Sequence, residues 1–233
     1  MRYSLGNGNI QFFGGRGQSI YPRPSTPGSK AKWSSKNGVG DQVPNSLREA
    51  LGTKGKPMSM VDAYWGANPY YSDNYKEFSE NCQRCVFANE MRRRGYDVEA
   101  QPTYKGDEIP VAGNWKKAMK GMTQANVGST KRGENGVNET IDNIKSQMAK
   151  WGNGSRAIIR IKWDSKHGHV INCEYQNGVL HVYDAQSNKR ETNTSYLKSY
   201  LPYAVRSATE LYRVDNAKIT KDMKYMVRAK KKK

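Results

Sequence analysis

The chain predicts an α+β fold, with helices leading and an antiparallel sheet following. Three observations carry that expectation. A helical segment with punctuation at both ends runs from Asn81 to Gly95. Ile141, Ile144, Met148 and Trp151 recur at three- and four-residue spacing, the period of a helix with one face on a core. Two alternating runs then flank Asn177-Gly178, the strongest short-range hairpin signal.

The elements follow in order. Residues 1–58 are rich in Gly, Pro, Ser and Asn and predict a disordered or extended arm, relieved by a short helix at 46–51. The folded domain is expected over 59–215, and a basic tail over 216–233. Residues 60–65 and 68–71 lead into the cysteine-bearing helix, which Asn81 caps and Gly95 ends. Residues 96–100 alternate as a short strand stopped by Pro102, and residues 115–122 suit a short helix. Residues 138–151 form the amphipathic helix, stopped by Gly152-Asn153-Gly154. A strand at 157–163, the hairpin, a helix at 192–201 and a last strand at 209–214 complete the chain. No internal repeat is present.

The hairpin carries chemistry. With Asn177-Gly178 as a two-residue loop, Gln176 pairs with Val179, Cys173 with Val182, Ile171 with Asp184 and His169 with Gln186. Period-two alternation then puts His169, Ile171, Cys173, Tyr175, Leu180, Val182, Asp184 and Gln186 on one mostly apolar face, expected to be the buried one. His169 and Asp184 become diagonal neighbours, roughly 7–8 Å apart at the backbone and within side-chain reach. A carboxylate beside an imidazole is the base-and-orienter half of a nucleophilic triad.

Cys82 completes it best. It occupies the first helical turn, where unpaired N–H groups and the helix dipole favour a thiolate. Cys85, one turn further in beside Val86 and Ala88, reads more as packing and stays as the alternative nucleophile. A cysteine at a helix start, followed by His and then Asp on neighbouring strands, is the chain order of papain-like hydrolases. Cys173 falls mid-strand on the core face, where a cysteine serves as a small apolar residue. His167 shares the parity of His169 but lies in a loop, and His181 falls on the face opposite Asp184. Gln186 is read as orienting the imidazole or making a polar contact at the cleft edge. The Cys82 N–H with a side-chain amide of Gln83 or Asn81 is the expected oxyanion site.

Asn68-Pro69-Tyr70, the run from Asn81 to Pro102, the run from Trp151 to Trp163 and the run from Gly168 to Ser187 together resemble the papain-fold toxin family. These are Cys-His-Asp domains of bacterial polymorphic toxins and phage head-associated proteins. The resemblance spans roughly residues 64–187. It implies a papain-like fold and a cysteine protease or protein-glutamine deamidase, with no cofactor. The family's Asn-Cys motif falls on Asn81-Cys82, its Gly-His on Gly168-His169, and its Asp-x-Gln on Asp184-Gln186. Here Ala185 stands where a proline is common, which alters neither functional side chain.

Composition sets the remaining bounds. A hydrophobic content of 36% and a mean hydropathy of -0.93 are low for a chain that is globular throughout. No apolar run approaches the roughly 20 residues of a membrane span, and the N-terminus shows no signal-peptide pattern. Three cysteines argue against a disulfide framework. Cys82-x-x-Cys85 admits zinc or redox readings, but zinc needs two more ligands at comparable spacing. The formal net charge of +18 points to an anionic partner or environment, with Arg92-Arg93-Arg94, the 105–120 region and the lysine-rich end contributing. No nucleic-acid-binding motif accompanies it. Two function classes follow. One is a hydrolase acting on a protein substrate as a toxin or effector. The other is a basic phage head protein, contacting capsid proteins or nucleic acid, in which the papain-like domain is a passenger. Localisation is accordingly expected in a virion or, after delivery, in a bacterial cytoplasm.

Overall fold

The computed structural model describes residues 44–71, 76–103, 115–164, 167–191 and 194–230. In chain order they form α1 (Leu47–Leu51), α2 (Met60–Trp65), α3 (Lys76–Ser79), α4 (Cys82–Arg93), β1 (Val98–Ala100), β2 (Met119–Lys120), β3 (Thr123–Asn126) and α5 (Gly133–Trp151). There follow β4 (Arg156–Lys162), β5 (Gly168–Gln176), β6 (Val179–Asp184), β7 (Lys189–Glu191), α6 (Ser195–Tyr200), β8 (Glu210–Arg213), β9 (Lys218–Ile219) and β10 (Val227–Ala229). The main sheet is antiparallel, with strand order β3-β8-β4-β5-β6-β7, and two short ribbons pair β1 with β10 and β2 with β9. The α+β expectation holds.

The hairpin forms at the expected turn. Asn177 (φ 51) and Gly178 (φ 79) both take the left-handed region, as a two-residue loop matching the strand twist requires. Gln176 pairs with Val179 and Cys173 with Val182. The ladder stops at Asn172↔Tyr183, and residues 185–188 turn away. His169 and Gln186 are therefore not ladder partners, contrary to the expected register. His169 pairs instead with Ile161 of β4.

The sheet is buried on both faces. Ile171, Cys173, Leu180 and Val182 pack with Ile141, Ile144 and Met148 of α5 and with Leu197 of α6. The opposite face, expected to be open, carries Val170 and Tyr183 against Val86, Phe87 and Met91 of α4. Its polar residues have partners there. Asn172 donates to the Val86 carbonyl at 3.2 Å, and the buried Glu174 takes an ion pair from Arg93 at 2.6 Å.

That exchange explains a helix that is polar in sequence yet buried along most of its length. Arg84, Asn89, Glu90 and Arg92 of α4 are all buried. Glu90 accepts from Arg94 Nε at 2.7 Å and from Arg156 Nε at 2.8 Å. Arg92 donates to Asp97 Oδ1 at 2.6 Å and to the Ala63 carbonyl at 3.1 Å. Arg92-Arg93-Arg94, expected to be part of an anion-attracting surface, is thus spent on internal pairs. A buried charge is tolerated only when paired and hydrogen-bonded.

Two boundaries also differ from expectation. Ala50 and Leu51 of α1 are buried, so the body of the fold begins before residue 58, and residues 1–43 of the predicted arm lie outside the described residues. Residues 216–230 are not an appended tail. Met223, Met226 and Val227 enter the core beside Val98, and β10 completes a ribbon with β1. The segment 115–122 is one 3-10 turn followed by β2 rather than a helix. Burying Trp115 against Phe87 and the edge of Tyr212, at centroid distances of 5.8 and 5.3 Å, outweighs local propensity.

Candidate active site

The site lies where the start of α4 meets the ends of β5 and β6. Gly168 opens β5, and a Cβ there would stand 2.6 Å from the Ile161 carbonyl, so only glycine lets the strand approach β4 this closely. That approach delivers His169. Its ring is 4% exposed and Nε2 meets Asp184 Oδ2 at 3.3 Å. Trp163 lies nearly parallel to it at 7° and 6.2 Å, and Tyr200 stacks at 5.4 Å.

Asp184 is the last residue of β6 and is 2% exposed. Its Oδ1 accepts from the Gln186 backbone at 2.9 Å, and Oδ2 accepts from Ser187 Oγ at 2.9 Å and the Tyr196 hydroxyl at 2.8 Å. Burial pushes the carboxyl pKa up, but the imidazole and these hydrogen bonds outweigh it and bring it down to about 2. Burial pulls the His169 pKa down. The Asp184 charge and hydrogen bond, then hydrogen bonding and charge from Cys82, reverse that and raise it well above the ordinary value.

The two candidate cysteines differ in setting. Cys82 is half-buried at the first position of α4. Cys85 is fully buried, donates its thiol to Asn81 Oδ1 at 3.1 Å, and has its pKa raised well above the usual range by burial and then by the Asp184 charge. Cys173 is core, with its thiol 3.8 Å from Met148 Sδ and its pKa raised by burial.

Asn81 is the N-cap by position, but its side chain makes no cap bond. Its Nδ2 donates to the Gln101 carbonyl at 3.1 Å and to Asn68 Oδ1 at 3.3 Å, while Oδ1 faces Gln186 Nε2 at 3.4 Å. Asn81 is thus tied into the framework, which corrects its expected share in an oxyanion site. Gln186 contacts Asn81 and not the imidazole, so of its two expected roles the ring-orienting one is corrected and a polar contact remains. Asn68 clamps the assembly by donating to the carbonyls of Phe78 and Gln186, each at 2.8 Å.

His167 is in the exposed loop, with Nδ1 2.7 Å from Asp164, away from the His169–Asp184 pair. Among the described residues, no group of three or more His, Cys, Asp or Glu could hold a metal ion, and no helix is long and apolar enough to cross a membrane. Sequence reasoning missed Tyr196, Tyr200 and Ser187. The signal for the first two was present, since tyrosines four apart share a helix face.

A helix start bearing a half-buried thiol, set against strand ends that carry a hydrogen-bonded imidazole and carboxylate, is a papain-like arrangement. Residues 80–189, just under half of the chain, match the family model described as papain fold toxin 1, glutamine deamidase, and this supports a papain-fold toxin family. Comparison with curated proteins and with solved structures gives no significant match.

Proposed function

We propose that this protein is a toxin that deamidates glutamine side chains of a protein substrate, using Cys82 as nucleophile, His169 as acid and base, and Asp184 as orienter. The observation that carries the reading is the buried His169–Asp184 hydrogen bond beside the thiol at the start of α4.

The geometry supports the following chemistry. Nε2 engages Asp184, so Nδ1 is the ring nitrogen that takes the Cys82 proton. The thiolate attacks the carboxamide carbon, and the N–H groups of the first α4 turn stabilise the oxyanion. The carbon–nitrogen bond then breaks and ammonia leaves with the proton returned by the imidazolium. Water, deprotonated by His169, attacks the thioester, releasing glutamate and the free thiol. Cys82 is preferred over Cys85 because burial and the nearby Asp184 charge oppose ionisation of Cys85.

Peptide cleavage would use the same thioester, and the family description favours deamidation. The test incubates the full chain with a glutamine-containing protein mixture, following ammonia release and glutamine-to-glutamate conversion by mass spectrometry. Conversion without chain cleavage, lost in Cys82→Ala and kept in Cys85→Ala, is expected. Cleavage products would make it a protease, and loss confined to Cys85→Ala would move the nucleophile. Neither the fold nor the family match points to capsid proteins or nucleic acid as partners.

A further inference from the structure

Asp184 is held by its own turn through Gln186 N and Ser187 Oγ, but a third donor comes from elsewhere in the fold. The Tyr196 hydroxyl of α6 reaches Oδ2 at 2.8 Å, the same oxygen that meets His169 Nε2. A carboxylate has no proton to give, so Tyr196 is the donor and its oxygen can accept from Tyr200, 3.0 Å away. Tyr200, one turn further along α6, lies over the His169 ring at 5.4 Å and 25°. One helix face therefore touches both halves of the pair. It does so from outside the segment that the family model matches, which ends at residue 189.

We propose that Tyr196 is a positioning residue for the catalytic pair, fixing the Asp184 carboxylate plane against His169, with Tyr200 as its support. The inference rests on the triad reading given above. Without the Tyr196 bond, Asp184 keeps only the donors of its own turn and His169 itself, so the carboxylate can rotate and the imidazole with it. Tyr196 is 6% exposed, so its bond is shielded from competing water. Burial and then the Asp184 charge hold its pKa well above the usual range, so the hydroxyl remains a donor throughout the working pH range.

Iodoacetamide labelling of Cys82 in the full chain tests this without needing a substrate. Rates are followed from about pH 5 to about pH 10, spanning the roughly 8.5 of a free thiol. In Tyr196→Phe, the rate near pH 6 should fall roughly tenfold, the size of one hydrogen bond to a charged group. The high-pH plateau, carried by free thiolate, should stay. Tyr200→Phe keeps the stacked ring and should lose about threefold, a fraction of one hydrogen bond. In an Asp184→Asn background, Tyr196→Phe should add nothing, since its effect runs through the carboxylate. A Tyr196→Phe profile superimposable on wild type overturns the proposal, as does an undiminished effect in Asp184→Asn. Should Tyr196→Phe fail to fold, an unchanged Tyr200→Phe profile overturns the pair's role. A wild-type Cys82 that labels no faster than an ordinary thiol overturns the triad itself, which separates the two failures.

Discussion

Helix α4 meets two buried acidic centres, and they are built differently. Towards its C-terminal end, Glu90 is shared by Arg94 and Arg156, and Glu174 is paired with Arg93. At its start, Asp184 is paired with His169 and with neutral donors. Arginine stays charged throughout the accessible pH range, so the first centre has one protonation state and a mechanical role. Imidazole can exchange its proton, and the second centre lies beside a half-buried thiol. Burial and charge are common to both. A titratable partner and a neighbouring thiol distinguish the second centre from the first.

Substitutions at the two centres should diverge. Cys82→Ala should reduce the proposed deamidation by at least about 10⁴-fold, the scale of losing a nucleophile. Its thermal melting should match wild type, and a melting loss paralleling the activity loss would count against the distinction. Glu90→Ala should do the reverse. It removes the carboxylate partner of Arg156 and Arg94, leaving Arg94 only its backbone carbonyl acceptors, and should destabilise the fold by about 3–5 kcal/mol in denaturant titration. The protein that remains folded should keep the pH dependence of Cys82 labelling.

Acid should act on the dyad. Asp184 holds its proton less tightly in the folded chain, at about 2, than the roughly 3.9 of an unfolded aspartate. Its contribution is present above pH ~4 and is lost as pH falls from there through about 2, a loss of roughly 2–3 kcal/mol. His169 runs the other way. Its raised pKa gives stability that is full below about 6.5 and disappears as pH rises through the folded value. Urea unfolding across pH should show both slopes, and Asp184→Asn should flatten the acid one. The smallest effect belongs to Cys173→Ala, which removes a core contact with Met148 and should cost about 1 kcal/mol. Labelling of Cys82 should be untouched.

Much of this was readable before the fold. Hairpin register near the turn follows from Asn177-Gly178, because a type I′ loop leaves little choice of pairing. The Cys82, His169 and Asp184 positions follow from a helix start and two strand ends. The reading failed at the far end of the hairpin, where Gln186 leaves the ladder, because register is local and a turn can end it at any residue. It also failed on the second sheet face. Asn172 and Glu174 alternate as solvent residues do, and nothing local distinguishes water from Arg93 as a partner.

By itself, then, the sequence determined the periods, the helix boundaries, the turn and the chain order of thiol, imidazole and carboxylate, all read from near neighbours. Tertiary structure alone decided that the three arginines turn inward, that residues 216–230 complete the core, and that Tyr196 reaches Asp184. Those outcomes depend on which distant surfaces meet. A paired buried charge and a solvated one look the same in a string of residues, and only packing tells them apart.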